Sequence, residues 1–330
     1  MLNIRKKILR RLKWGVAGCG NYTENTFIPT LQLMQKSKVI SLYSSDLKRA
    51  KFLADKYAVQ FVFNNYDQFL KSDLDCVYVS GTNANHYERV LKAAKAGKNI
   101  FCEKPMALNY EQSKEMVEVC ESNNVLLAVN YTFRHHPLVL KAKEIIDKDM
   151  LGKIVSVSAN FNVDFAPNEN YRFKKALSGG GALRDLGTHM IDLLRFFGGE
   201  IISIEGVVDN IVYKSEVDDF AAAAVKFAKG GYGFFTVSYN TRKASNRIEI
   251  LGYKGCISIE NLIGRKAVPG KLIIDLNGEA KKAFRKRGNK LLFALRSVQK
   301  SFIKNLPPLA SGKDGMINMK LMEELEGKCL

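Results

Sequence analysis

Residues 14–23 read WGVAGCGNYT, and this stretch decides the fold. The apolar WGVA predicts a short buried strand, and the sequence after it is helix-like through Leu33. Between them, Gly18 permits a tight turn, and Gly20 lets the backbone approach a phosphate group at the helix N-terminus. Glycine turns between strands and helices are common. A turn placed near the start of the chain, with a strand before it and a helix after it, is typical of nucleotide-binding sheets.

This turn supplies the first candidate cofactor-binding residues, which are Gly18, Gly20, Asn21 and Tyr22. The usual fingerprint has a third glycine, and Thr23 stands in its place. A larger residue at that point would shift a bound pyrophosphate.

Strands alternate with helices up to residue 130. The predicted strands cover residues 14–17, 38–43, 61–63, 75–80, 100–102 and 126–130. Repeated βαβ units at this spacing predict a doubly wound parallel sheet.

The second strand ends in the sequence SSDLKR, residues 44–49. An acidic residue that binds a ribose 2′-hydroxyl would stand at this end of the strand, but Ser44 and Ser45 stand there instead. Small hydroxyls together with Arg49 suit a 2′-phosphate, so these residues favour NADP over NAD. Asp46 also has a purely structural interpretation as the N-cap of the next helix.

The fifth strand runs into Glu103, Lys104 and Pro105. Proline cannot donate to a sheet ladder, so the strand must stop there. The charged pair then lies at the carboxyl edge of the sheet, where ligands bind in such folds. Lys104 is a candidate for polarising or protonating a substrate oxygen, and the alternative is a solvated lysine at a strand end.

The second half of the chain changes rhythm. After a helix at residues 137–149, seven stretches alternate as strands do, with hairpin turns at residues 228–231 and 252–255. We therefore expect a C-terminal α+β domain with a large, mostly antiparallel open sheet, whose open face often packs on another subunit. The domain prediction is a basic extension at 1–12, a nucleotide-binding domain at 13–133, and a substrate-binding and oligomerisation domain at 134–330.

Residues 179–192, GGGALRDLGTHMID, form the second candidate site. Asp185 and His189 are four residues apart, so they project from one face of a helix. Histidine is the side chain best suited to accept an alcohol proton near neutral pH, and a carboxylate one turn away can orient it or bind the same substrate. The alternative is a capping aspartate and a core histidine.

Four further residues have weaker claims. His86 follows a strand end near the cofactor or begins a helix at the surface, and Arg134 binds substrate or holds the domain junction. His135 and His136 are adjacent and cannot share one helix face, so we expect no metal site.

Composition bounds the functional classes. The net charge is +18, concentrated at residues 5–13 and 281–304. No nucleic-acid-binding motif accompanies it, so anionic small molecules are the expected partners, not nucleic acid. The six cysteines are scattered, which indicates reduced thiols in the cytoplasm. The first twelve residues lack the apolar centre of a secretory signal, and no apolar run could cross a bilayer.

In this order, the motifs resemble the glucose–fructose oxidoreductase / inositol dehydrogenase / MocA (Gfo/Idh/MocA) family. The resemblance rests on the glycine turn at 18–20, residues 83–86, Glu103-Lys104-Pro105, and the triple glycine with Asp185 and His189. It implies a Rossmann domain and a C-terminal domain that forms homodimers or homotetramers. It also implies that Asn83, His86, Glu103 and Lys104 contact the cofactor.

The same resemblance implies NAD(P)-dependent oxidation or reduction of a secondary alcohol or ketone on a sugar, an inositol or a nucleotide-sugar. It places Lys104, Asp185 and His189 at the active site, and it implies a cis peptide before Pro105. Arg134 stays a candidate substrate ligand on the residues alone. Three alternatives remain open: a non-catalytic nucleotide-sensing regulator, a hydrolase that retains its NAD, and a reductase acting on a non-sugar.

Overall fold

The structure is a computed structural model, and it describes residues 11–244, 246–263 and 268–329. Apart from Arg11 and Leu12, the predicted basic N-terminal extension lies outside the described residues. No helix within those ranges is long and apolar enough to span a membrane.

The first half of the chain forms a sheet with helices between its strands. The strands are β1 (Leu12–Ala17), β2 (Ser37–Tyr43), β3 (Phe61–Phe63), β4 (Cys76–Val79), β5 (Asn99–Cys102) and β6 (Leu127–Val129). The helices are α1 (Ile28–Gln32), α2 (Leu47–Tyr57), α3 (Tyr66–Leu70), α4 (His86–Lys95), α5 (Tyr110–Ser122) and, after β6, α6 (Pro137–Asp147). All strand pairs are parallel, in the order β3-β2-β1-β4-β5-β6. The predicted doubly wound sheet is confirmed.

Aromatic side chains fill one face of this sheet. Trp14 on β1, Tyr78 on β4 and Phe101 on β5 are fully buried, and Phe27 stacks on Tyr78 with ring centroids 3.5 Å apart. This packing fixes the central strands side by side. Their carboxyl ends, which carry the glycine turn and Lys104, therefore share one edge of the sheet.

The second half forms an eight-stranded sheet. Its strands are β7 (Ile154–Asn162), β8 (Ile201–Asp209), β9 (Phe220–Phe227), β10 (Tyr232–Ser238), β11 (Arg247–Gly252), β12 (Gly255–Glu260), β13 (Gly270–Leu276) and β14 (Lys282–Lys286). Its helices are α7 (Lys175–Ser178), α8 (Thr188–Gly198), α9 (Lys290–Lys304) and α10 (Gly312–Lys328). The order is β14-β13-β12-β11-β7-β10-β9-β8, and every pair except β7–β10 is antiparallel. The predicted mostly antiparallel sheet is confirmed.

Helix α9 returns the chain to the first sheet. Its apolar residues Leu291, Leu295, Val298 and Phe302 belong to the same buried cluster as Trp14. From the sequence, residues 281–304 are predicted only to be a basic region. In the structure they form an exposed edge strand, β14, followed by the amphipathic helix α9.

Candidate active site

The glycine turn after β1 is held against the end of β4. Gly18 has φ of 117°, and a Cβ there would lie 2.5 Å from the carbonyl oxygen of Ser80, so only glycine fits. A Cβ on Gly20 would meet no atom within 4 Å, so the space over the turn is open. Thr23 is buried, and its hydroxyl donates to the Gly18 carbonyl at 2.8 Å. The residue that replaces the third glycine therefore fixes the turn from inside.

Asn21 and Tyr22 follow the turn and are exposed, directly before a π-helical segment, Thr23–Phe27, that continues into α1. Open space over Gly20, beside a helix N-terminus, is the arrangement that accepts a pyrophosphate. The residues present fit a dinucleotide cofactor.

The end of β2 presents hydroxyls. Ser44 is half-buried and its hydroxyl accepts a hydrogen bond from the Asp46 backbone N–H at 3.1 Å, while Ser45 is exposed. The Asp46 carboxylate accepts from the Arg49 backbone N–H at 3.0 Å, which caps α2. Asp46 is therefore the N-cap of α2, as its structural interpretation predicted. The residue directly after β2 is Ser44, which carries a hydroxyl and not a carboxylate.

The Arg49 side chain already has partners. Its Nε donates to the Cys19 carbonyl at 3.1 Å, and its Nη2 forms an ion pair with Glu24, which also pairs with Lys56. A 2′-phosphate would have to share this guanidinium with Glu24.

Asn83 and His86 are both buried. Asn83 donates through Nδ2 to the Ser178 carbonyl at 2.7 Å, so it ties the first sheet to the second domain. The Nδ1 of His86 lies 3.0 Å from the Pro105 carbonyl oxygen. His86 therefore begins α4 as a buried residue that contacts the loop after β5, and it does not lie at the surface.

Glu103 is anchored beneath the edge of the sheet. Its Oε1 accepts from the Tyr78 hydroxyl at 2.5 Å and from Asn130 Nδ2 at 2.6 Å. Burial raises the pKa of this carboxyl. The peptide between Lys104 and Pro105 is cis, as the resemblance implied.

Lys104 meets Asp185 across the two domains. The Lys104 Nζ donates to the Asp185 backbone carbonyl at 2.6 Å and forms an ion pair with its carboxylate. The two side chains are 13% and 19% exposed. Lys104 is thus not the solvated lysine of the alternative interpretation. An ammonium has three N–H groups, so one remains for a further acceptor.

Two more groups hold the Asp185 carboxylate. The Tyr239 hydroxyl donates to Oδ2 at 2.8 Å, and the Arg172 Nε does so at 3.3 Å. Burial alone would raise the pKa of this carboxyl, but the cations of Lys104 and Arg172 hold it well below its ordinary value. Asp185 therefore stays ionised and positions Lys104.

His189 lies on α8, close to this pair. Its ring packs edge-on against Phe133 at 4.9 Å, with Tyr131 and Phe161 slightly farther away. Burial and the Lys104 cation hold its pKa well below the ordinary value, so the imidazole is neutral at neutral pH. Among the described residues, its Nδ1 is buried without a hydrogen-bond partner.

The triple glycine places Asp185 and His189. A Cβ on Gly181 would lie 1.9 Å from the Asp218 carbonyl oxygen, so only glycine allows this approach. The Asp218 carboxylate accepts from the backbone N–H groups of Gly181 and Leu183, each at 2.7 Å. The Asp218 carboxylate thus holds the start of a π-helical turn, Leu183–Gly187, which carries Asp185 and leads directly into α8 with His189.

Comparison with known families matches both halves of the chain. Residues 12–131 match the oxidoreductase family with an NAD-binding Rossmann fold, and residues 139–258 match the GFO/IDH/MocA C-terminal domain. The chain belongs to the Gfo/Idh/MocA oxidoreductase family. The resemblance inferred from the motifs is confirmed.

Individual proteins are similar to this chain over most of its length. A 1,5-anhydro-D-fructose reductase of Ensifer adhaerens is 25% identical over 310 residues, covering 92% of each chain. A D-xylose 1-dehydrogenase [NADP(+)] of Haloarcula marismortui is 29% identical, covering 76% of this chain and 72% of its own. The structure of a levoglucosan dehydrogenase in complex with NADH and levoglucosan superposes with a TM-score of 0.88 at 20% identity, covering 97% of both chains.

Arg134 has a different position from the one expected of a substrate ligand. Its Nε donates to Asp192 at 2.8 Å, and its Nη groups donate to the Leu309 carbonyl and to Asp314, each at 3.1 Å. It is 5% exposed. These contacts favour the alternative role, in which Arg134 holds the domain junction.

The sequence analysis missed Arg172, Tyr239, Tyr78 and Asn130. Tyr78 and Asn130 stand within and just after buried strands, so their positions offered a signal. Arg172 lies in a short turn between irregular segments, and only the folded chain brings it to Asp185.

Within the described ranges, no group of three or more His, Cys, Asp or Glu side chains is arranged to hold a metal ion.

Proposed function

We propose that this Gfo/Idh/MocA oxidoreductase acts on a secondary alcohol or the corresponding ketone of a sugar, an inositol or a nucleotide-sugar. The observation that carries the proposal is the contact between Lys104 and Asp185, which closes the second domain over the carboxyl edge of the first sheet. Relatives named for anhydrofructose reduction and xylose oxidation support a sugar substrate.

The cofactor would be held by the glycine turn at 18–20, by Ser44 and Ser45, and by residues around Glu103. When bound, it supplies the carbon that accepts or donates a hydride. In the oxidation direction, His189 takes the hydroxyl proton, since it is neutral and able to accept one. Lys104 donates its remaining N–H to the same oxygen and stabilises the negative charge that develops there.

Asp185 acts through Lys104. It fixes the ammonium with two contacts and is itself fixed by Tyr239 and Arg172. No hydrogen bond joins Asp185 to His189 in the described structure. We also propose that Asp185 accepts a hydrogen bond from a substrate hydroxyl. The accepting atom would be Oδ2, the oxygen that accepts from the Tyr239 hydroxyl.

The cofactor preference we propose is NADP. Ser44 and Ser45 leave room at the end of β2 and place no carboxylate against a 2′-phosphate. Arg49 contributes its positive charge from an ion pair with Glu24.

The remaining proposals concern assembly and compartment. The face of the second sheet away from α8 exposes Val207, Tyr232 and Phe234, and a second copy of the chain is the partner we propose for it. Light scattering during gel filtration tests this, and a monomer at micromolar concentration would contradict it. All six cysteines are free thiols, which supports the reducing cytoplasm.

The test of activity is a panel of sugars, inositols and nucleotide-sugars, followed by absorbance of the reduced nicotinamide with NADP and with NAD. A change in absorbance that depends on both substrate and enzyme is expected. Cofactor binding without turnover on any member would favour a regulator. Product formation without net absorbance change would favour the NAD-retaining hydrolase.

A further inference from the structure

A cavity of about 730 Å³ lies between the two domains beside the active site. Its wall combines the start of the first helix with the segment that joins β14 to α9. The described lining includes Tyr22 and Thr132 from the first half of the chain and Lys286, Arg287 and Lys290 from the second. We call this space the cationic cavity.

The cationic cavity lies near the catalytic groups, although Lys104, Asp185 and His189 are not part of its described lining. Tyr22 follows the glycine turn, and Thr132 follows the strand that ends beside Glu103. Lys290 lies over the Phe133 ring with its Nζ 4.7 Å from the centroid, and His189 packs edge-on against the same ring. The Phe133 ring therefore lies between the cavity wall and His189.

The charges in the wall are of one sign. Lys286, Arg287 and Lys290 contribute three cations, and none of the described lining side chains is acidic. The 15-residue helix α9 begins in the same wall, so the positive end of its dipole adds to the potential. A cleft lined by one sign of charge concentrates ligands of the opposite sign.

The effect of this charge reaches nearby groups. After burial, the cations of Lys290 and Lys286 are the causes that lower the pKa of His136 to about 4. Lys290 also contributes to the lowered pKa of His189. The same cations would attract an anion that enters the cavity.

We propose that the cationic cavity binds a phosphate or pyrophosphate group carried by the sugar substrate. The proposal rests on the proposed function and deepens it, because it makes the substrate an anionic sugar, with its neutral ring toward Lys104 and His189. The volume is within the range of sites for whole small molecules and is much larger than a lone phosphate requires. Pro29, Leu33 and Val268 add an apolar wall that suits the rest of a nucleotide.

The cofactor is a less suitable occupant. Of the candidate cofactor-binding residues, only Tyr22 belongs to the described lining, so the expected pyrophosphate and 2′-phosphate sites lie mostly outside the cationic cavity.

The test is calorimetric titration of the enzyme saturated with reduced cofactor, using UDP-glucose, glucose 6-phosphate and glucose. We expect both phosphorylated ligands to bind and glucose to bind much more weakly. In the variant Lys286→Ala/Arg287→Ala, the Kd for the phosphorylated ligands should rise about 10- to 100-fold, since two charged contacts are lost. The cofactor Kd should not change. Stronger binding of UDP-glucose would identify a nucleotide-sugar, and stronger binding of glucose 6-phosphate a sugar phosphate.

The matched control is Lys282→Ala/Arg285→Ala, which removes two charges from the same edge strand outside the cavity. Equal weakening in both double variants would overturn the proposal, because it would show only the effect of net charge. Equal binding of glucose and its phosphate, or a weakened cofactor Kd, would also overturn it. Binding is measured without turnover, so the binding result can be interpreted even if the proposed oxidoreductase activity is not found. Melting curves of each variant confirm that it is folded.

Discussion

The Lys104 ammonium contacts the backbone carbonyl and the side-chain carboxylate of Asp185, a residue 81 positions away in the other domain. This double contact fixes the direction in which the remaining N–H group of Lys104 points. The carboxylate also receives hydrogen bonds from Tyr239 and Arg172. The pair therefore behaves as one preorganised donor, and it depends on both domains being closed.

Replacing Lys104 tests that donor. Lys104→Met keeps an unbranched apolar side chain but removes the ammonium group, so kcat should fall about 10²- to 10³-fold while the cofactor still binds. Steady-state kinetics and cofactor fluorescence measure the two effects. Lys95→Met, on the exposed side of α4, is the matched control and should not change either quantity. Near-normal turnover in Lys104→Met would remove Lys104 from the chemistry.

His189 should set the acidic limb of the pH profile for alcohol oxidation. Its pKa is held below 6.5 by burial and the Lys104 cation, so kcat/KM should stay flat down to pH 6.5 and fall only below that value. His189→Asn should lose about 10²- to 10⁴-fold in kcat and lose that limb. An acidic limb above pH 7, or the same limb in the variant, would show that another group accepts the proton.

Ser44 should decide the cofactor preference. Ser44→Asp places a carboxylate at the end of β2, where it accepts from a ribose hydroxyl and repels a 2′-phosphate. The ratio of kcat/KM for NADP to that for NAD should fall at least about tenfold, a difference of about 1.4 kcal/mol. Ser45→Asn serves as the uncharged control at the neighbouring position. An unchanged ratio would place the 2′-phosphate elsewhere.

Acid should destabilise the protein through its histidines. The chain has four, all buried. Burial lowers the pKa of His86, His135 and His136 to about 4 each and that of His189 further. Between pH 4 and 6.5 the unfolded chain binds more protons, so stability is full above pH 6.5 and falls as the pH drops. The buried Asp192 carboxyl, whose pKa burial raises to about 6, gains a proton in the folded state over the same range and offsets part of this loss, so going from pH 7 to 5.5 should cost roughly 4 kcal/mol of unfolding free energy.

Urea unfolding at several pH values measures this slope. His135→Phe removes one of the four groups from a position outside the proposed chemistry, so it should reduce the slope by about one proton. Stability that does not change between pH 7 and 5.5 would contradict the neutral buried state of these histidines.

The sequence predicted the sheet and part of the site, for reasons that individual residues explain. Pro105 stops β5, so Lys104 had to lie at the carboxyl edge. The turn at Gly18 needs a positive φ that few other residues adopt, so its position was readable. These are local constraints, and local constraints survive in a single sequence.

The long-range contacts of the site could not be predicted from the sequence. Tyr239 and Arg172 reach Asp185 only through the fold of the second domain, and nothing in their neighbours marks them. The strand β14 was missed because its five residues are exposed and lack alternation. Helix α9 could have been predicted, because Leu291, Leu295 and Val298 repeat at helical spacing within this positively charged segment.

The most direct test of the central claim is a crystal structure of the enzyme with reduced cofactor and the alcohol form of its substrate, a pair that cannot react. The account predicts one carbinol oxygen within about 3.2 Å of both the Lys104 Nζ and a ring nitrogen of His189. An alcohol bound beside the nicotinamide with its oxygen contacting neither group would contradict the account.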